Sequence, residues 1–204
     1  YTYRFVFVPE TLGSIVYLSK NYIHLKENVI AGYVLSCVGD ERNYSYLTTP
    51  DGNTYSDKVA RNVYSSKNIK YKEYDFTFAG SDERQYCSPL VDLPIGSFMR
   101  TRYGDYPEYH TSLDDLSVIT PNGLLGAFDI VTSAIEVIEY DCIYSATLHC
   151  EPFLSKYGLY PDGESHLSNS EDRNLVLLIA YSNSKRSLLD ISNILKVPVV
   201  VLHK

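Results

Sequence analysis

The sequence runs to 204 residues, with 45% hydrophobic and 21% charged side chains and a formal charge of −7. Those values exclude long disorder, collagen and coiled coil, and the acidic balance argues against a protein that wraps nucleic acid. No stretch approaches the roughly eighteen consecutive apolar residues of a membrane span, and the four cysteines contain no C-x-x-C pair, so a cytoplasmic protein without a disulfide scaffold is expected.

Tyr3 to Val8 (YRFVFV) is aromatic and β-branched and predicts a buried strand that Pro9 ends. Thr11 to Lys20 carries Leu12, Ile15, Val16 and Leu18 at helical spacing. Val29 to Val38 predicts a second buried strand with Gly39-Asp40 at its carboxyl end, and Asp57 to Ser65 a short helix. Tyr71 to Phe78 and Ile95 to Tyr103 are strand candidates. Asn122 to Cys142 is the longest helical pattern. Strands alternating with helices predict a three-layer α/β fold, a mainly parallel or mixed sheet covered on both faces.

Gly158 to Asn169 is rich in Gly, Ser, Asn and Pro and reads as a linker. Beyond it lie a helical pattern through Leu175 to Tyr181 and a second helix opened by Ser187. Val199 to Leu202 is a strand by propensity, but Pro198 before it fits the first position of a helix, and helix–turn–helix spacing favours the helix. From Glu171 onward there are five Lys/Arg and three Asp/Glu, a net of +2, which leaves −9 for the rest. The predicted organisation is an α/β domain over 1–160, a linker over 161–170 and a small helical module over 171–204.

Ligands of open α/β sheets collect at the carboxyl ends of the strands, and four polar clusters are predicted there. Glu10, after the first strand, suits a general base or a metal ligand; its plain alternative is an acid in a first helical turn. Asp40 belongs to a cluster from Ser36 to Arg42, otherwise a solvated strand-end turn. Asp82, Glu83 and Arg84 belong to Gly80–Cys87, which could line a pocket with Arg84 holding a carboxylate bidentately, or form an exposed charged loop. Tyr109, His110 and Asp114 offer a histidine ligand with a carboxylate to orient it, or an ordinary loop histidine.

In order, Pro9-Glu10-Thr11-Leu12-Gly13-Ser14, Val38-Gly39-Asp40-Glu41-Arg42, Gly80 to Cys87, Glu108 to Leu116, Cys150-Glu151-Pro152 and Gly158-Leu159-Tyr160-Pro161 resemble one bacterial family. Its members are polysaccharide-biosynthesis proteins with an aminopeptidase-like domain, distant relatives of the zinc aminopeptidases. The resemblance runs from Tyr3 to the end, and the tail from Glu171 resembles a winged-helix module. It implies that Glu10 is the general base, His110 a zinc ligand, and Tyr109 and Asp114 its supports. It also exposes two departures. Thr11 stands where the aminopeptidases carry a ligand Glu, and Ser36 where they carry a ligand Asp. A His and a bridging Asp are expected upstream of Glu10, so the missing initiator Met and abrupt start predict a piece of a longer protein. The C-terminus is likewise expected to stop inside the recognition helix, before the wing.

The resemblance therefore implies a zinc-dependent amide hydrolase acting on a small peptide or an amide-bearing sugar precursor, with Glu83, Arg84, Asp82 and Asp40 contacting substrate. One imidazole cannot hold a catalytic zinc, which needs about three protein ligands, so the fragment is expected to be inactive by itself. The competing expectation is a non-catalytic, metabolite-binding or regulatory member. The mildly basic tail offers few donors for base edges, which argues against DNA as a partner. A membrane partner is not expected, and self-association into a homo-oligomer is left open.

Overall fold

Gly32–Leu35 (β1), Ser45–Leu47 (β2), Lys72–Tyr74 (β3) and Ile95–Met99 (β4) form one mixed sheet in a computed structural model that describes residues 1–158 and 170–203. The order is β1-β4-β2-β3. β1 pairs with β4 in parallel, β2 runs antiparallel to β4, and β3 lies parallel to β2. β4 is central, and all five of its residues are buried, as expected of a strand covered on both faces. Gly96 in β4 has no Cβ because the Tyr46 phenol lies where one would be.

This first compact unit, Tyr1–Ile135, also holds α1 (Leu12–Asn28), α2 (Tyr55–Ser66), α3 (Glu83–Tyr86) and most of α4 (Pro121–Tyr140). Its core is aromatic. Phe98 packs against Tyr33 and Tyr46 with ring centroids 4.5 and 5.3 Å away, and Tyr64 stacks on Tyr71 at 4.0 Å. Many of the chain's tyrosines thus fill a core while their hydroxyls reach polar partners. Asp57 organises the start of α2. Its carboxylate, fully buried, accepts from Thr54 N and Oγ1, Thr49 N and Oγ1, and the Tyr46 hydroxyl, at 2.6 to 3.0 Å. Burial opposes its charge, but the donors from Thr49, Thr54 and Tyr46 prevail and hold the carboxyl below its ordinary range.

The second unit, Glu136–Lys204, contains the antiparallel pair β5 (Ile143–Ser145) and β6 (Asn183–Ser187), with α5 (Ser170–Tyr181), α6 (Leu188–Leu195) and α7 (Val199–Leu202). Ser187 caps α6 by accepting from Asp190 N at 3.2 Å, while Asp190 reaches back to Ser187 N. Asp141 accepts from Leu189 N at 2.8 Å, so the same helix start is anchored twice. Leu188, Leu189, Ile191 and Val199 are buried at the unit's centre.

Several expectations need correction. Tyr3–Val8 is not a strand: it enters neither sheet, and Phe5 and Phe7 are 71% and 94% exposed. An extended apolar segment gains a ladder only when a neighbour supplies the other half. The first compact unit runs to Ile135, and β5 pairs with β6 inside the second unit. Val199–Leu202 is helical, as the helix–turn–helix spacing favours, and only the place of Pro198 differs: it is the N-cap rather than the first helical residue. β2, α3, β5 and β6 were not anticipated. The predicted linker over 161–170 falls almost wholly outside the described residues.

Candidate functional site

The site is assembled at the carboxyl end of β1 and in three loops. Pro9 ends the N-terminal segment, and the chain turns into α1 through Thr11, whose φ of 60° is unusual for a β-branched residue. That turn is held from a distance. The Thr11 backbone N–H donates to Asp82 Oδ1 at 2.6 Å, and the Ser81 hydroxyl donates to Glu10 Oε1 at 2.6 Å. Glu10 is otherwise exposed, and its Oε2 has no hydrogen bond among the described residues.

The loop carrying Ser81 and Asp82 is fixed from beneath by Glu83. Its Oε1 accepts from Gly80 N and Ser81 N at 2.9 Å and from the Tyr103 hydroxyl at 3.0 Å, and Oε2 accepts from Ser97 Oγ at 3.1 Å. Burial raises the Tyr103 hydroxyl well above its usual range, and the Glu83 charge adds to the rise, so Tyr103 serves as a donor. Glu83 is fully buried with four donors, so a substrate amine cannot reach it as the sequence reading expected. Asp40 is equally inward. It is 5% exposed and accepts from Thr101 N, Thr101 Oγ1 and Arg42 N at 2.6 to 3.0 Å, which makes it a brace between loops rather than a substrate contact. Arg84 is exposed on α3, free to meet a ligand.

Cys37 follows β1 with φ of 48°. Its Sγ lies 3.7 Å from the Tyr106 hydroxyl, which also lies 3.4 Å from Asp114 Oδ2. Burial, then Cys37, then Asp114 push the Tyr106 hydroxyl upward. Tyr109 packs against Tyr103 and Tyr106; burial raises its hydroxyl, and the charges of Cys37, Glu10 and Asp114 add to the effect. These four residues therefore share one electrostatic neighbourhood. His110 is exposed, has φ of 58°, and stacks on the Tyr109 ring at 4.0 Å. Asp114 makes no hydrogen bond to His110 among the described residues; its partner is Tyr106. The segment is clamped by Arg42, which donates to both Glu108 oxygens at 2.8 Å.

Ser81, Cys37, Tyr106 and Arg42 take part in this arrangement although no motif in the sequence assigns them a role. Ser81 sat inside a cluster already singled out, but nothing in a sequence signals a partner 71 positions away.

A metal centre was tested on the donor set. Among the described residues, no group of three His, Cys, Asp or Glu side chains could hold a metal ion. His110 faces outward beside Tyr109 and is not joined by a second ligand, so these residues do not make a zinc site by themselves. Among the described residues, no helix is long and apolar enough to cross a membrane.

Relatives share this architecture. A Clostridium acetobutylicum protein described as a polysaccharide biosynthesis protein with an aminopeptidase-like domain is 40% identical over 195 residues, covering 94% of this chain and 44% of its own length. A crystal structure described as that of a peptidase from Clostridium acetobutylicum superposes with a TM-score of 0.84 at 32% identity, covering 96% of this chain and 43% of that one. An aminopeptidase from Aneurinibacillus sp. strain AM-1 matches with a TM-score of 0.51 at 23% identity, over 61% of this chain and 29% of that one, a likeness of fold. The chain thus spans less than half the length of these relatives, and its fold is aminopeptidase-like. Residues 142–204 match a winged helix-turn-helix family. Residues 1–141 match the family described as domain of unknown function DUF4910, and the chain belongs to that family.

Proposed function

We propose that the protein containing these residues is an amide hydrolase of the aminopeptidase kind, with Glu10 as its general base. The observation that carries this reading is the Glu10 carboxylate. One oxygen is held at 2.6 Å by Ser81, the other has no hydrogen bond among the described residues, and the following backbone is pinned by Asp82. A carboxylate oriented in this way accepts a proton from water as the water oxygen attacks an amide carbonyl. The carboxyl then returns the proton to the departing amine nitrogen, so water and amide become a carboxylic acid and an amine, which separate at neutral pH as carboxylate and ammonium. Arg84, exposed one residue beyond the buried Glu83, is the side chain assigned in this reading to a substrate carboxylate.

The substrate class proposed is a small peptide or an amide-bearing sugar precursor. Zinc dependence would require ligands beyond the described residues, because His110 is the ligand that the resemblance implies and about three are needed.

The test is hydrolysis of a panel of aminoacyl amides and acylated amino sugars by the full-length protein. Glu10→Gln should lower kcat by roughly a hundredfold or more while leaving the fold unchanged by circular dichroism. Undiminished turnover would remove Glu10 from the mechanism. A second reading, a non-catalytic metabolite-binding member, is favoured by the inward engagement of Glu83 and Asp40. Full-length protein that binds the panel compounds without turning them over would establish it.

A further inference from the structure

Arg100 stands apart from the machinery above. It follows the last residue of β4, at the carboxyl end of the central strand, and is only 5% exposed. Its backbone N–H donates to the Cys37 carbonyl at 2.9 Å, which fixes where the side chain departs. The guanidinium carbon sits 3.7 Å from the centroid of the Tyr44 ring. One terminal nitrogen occupies the place where Gly126 of α4 would carry a Cβ, so glycine there makes room for the cation.

No carboxylate among the described residues forms an ion pair with Arg100, and its buried Nε has no acceptor. Arg102, which is less buried and whose Nε also has no acceptor, pairs with Asp105 at 2.8 Å through a terminal nitrogen, whereas Arg100 has no such carboxylate among the described residues. A buried lysine or histidine could lose its proton, but a guanidinium keeps its charge. An aromatic face meets part of the demand of a desolvated cation. It gives nothing to the in-plane N–H donors, and a buried cation without a counter-charge is unfavourable. Position adds a second, independent argument: the carboxyl end of a central strand is where open α/β sheets take ligands.

We propose that Arg100, backed by Tyr44 and given space by Gly126, is the anchor of an oxyanion site that takes a carboxylate or phosphate group of a small molecule. Fork-shaped donors in one plane match either group, and the tyrosine face restricts the guanidinium to that plane. The site does not depend on Glu10, and it stands or falls apart from the hydrolase reading.

The test uses inorganic phosphate and acetate as probes, titrated into the protein at constant ionic strength with chloride. The readouts are the nitrogen-15 NMR signal of the Arg100 Nε–H group and the unfolding temperature. The expected result is a saturable shift of the Nε–H signal with at least one probe and a saturable rise in unfolding temperature. Arg100→Met should abolish the temperature rise, and Gly126→Ala, which keeps the arginine but displaces it, should weaken binding by roughly tenfold. A response to phosphate alone identifies a phosphorylated ligand, and one to acetate alone identifies a carboxylate. An Nε–H signal indifferent to both probes overturns the proposal in the wild-type protein, whether or not the variants fold. Equal stabilisation of wild type and Arg100→Met, or unchanged binding by Gly126→Ala, overturns it as well.

Discussion

Ser81 donates a 2.6 Å hydrogen bond to Glu10 across 71 positions of sequence, and the neighbouring Asp82 takes the Thr11 N–H at the same distance. Two adjacent loop residues therefore fix both the side chain and the backbone of the candidate base. Ser81→Ala in the full-length protein should lower kcat by roughly tenfold, with KM nearly unchanged, since a positioning bond and no substrate contact is lost. Ser81→Thr keeps the hydroxyl and should restore most of the rate. A purely structural role would show instead as a lowered unfolding temperature with normal kcat.

Asp57 gathers five donors in a dry setting, and its loss leaves all of them unmatched. Asp57→Ala should cost about 3 kcal/mol in a urea titration. Because the folded carboxyl is held below its ordinary range, its contribution is complete above the ordinary carboxylate pKa and is lost as pH falls through the folded value. Stability of the wild type should therefore fall in acid more steeply than that of Asp57→Asn.

Arg42 and Glu108 form a two-pronged bridge at the surface, with Arg42 also 5.8 Å from the Tyr106 ring centroid. Arg42→Lys keeps the charge and loses the fork. Exposed pairs add little to global stability, so the unfolding temperature should scarcely move. Hydrogen exchange at Tyr109 to Thr111 should quicken, since the clamp on that loop is gone. Unchanged exchange there would show that the aromatic contacts hold the loop without it.

Ser187 caps α6 in the second unit. Ser187→Ala should destabilise that unit by about 1 kcal/mol, and Ser187→Asp should be nearly neutral. The check is exchange protection within Leu188 to Leu195.

Helix-forming segments were the most legible part of the chain. α1, α2, α4 and α6 each follow an apolar stripe, and Ser187 marks its helix start by residue type. β4 was legible as an apolar run because both of its faces are covered, and β1 by its apolar composition, although Leu35 remains 51% exposed. β2 was not: Ser45-Tyr46-Leu47 is too short for a period, and it is a strand because β4 and β3 flank it. Tyr3–Val8 failed in the opposite sense, having strand composition without a strand neighbour. In the site, residue types pointed to Glu10 and the Tyr109–His110 segment. The inward turn of Glu83 and Asp40 was invisible, because a carboxylate facing solvent and one satisfied by backbone N–H groups look the same in sequence. Their partners, Tyr103 and Ser97 for one and Thr101 for the other, are brought in by the fold.

The strand order has a consequence for how the chain comes together. β4 is the shared neighbour of β1 and β2, yet it is the last of the four to leave the ribosome. Gly32 waits for Ile95, and Ser45 for Met99, before either finds its main ladder partner. Until then β1 has no ladder partner, and β2 can pair only with β3. Such pairing between distant stretches sets a slow assembly step. The nascent first unit thus remains open to wrong partners until Met99 has emerged, which makes the synthesis of β4 the moment at which this sheet commits to its native order.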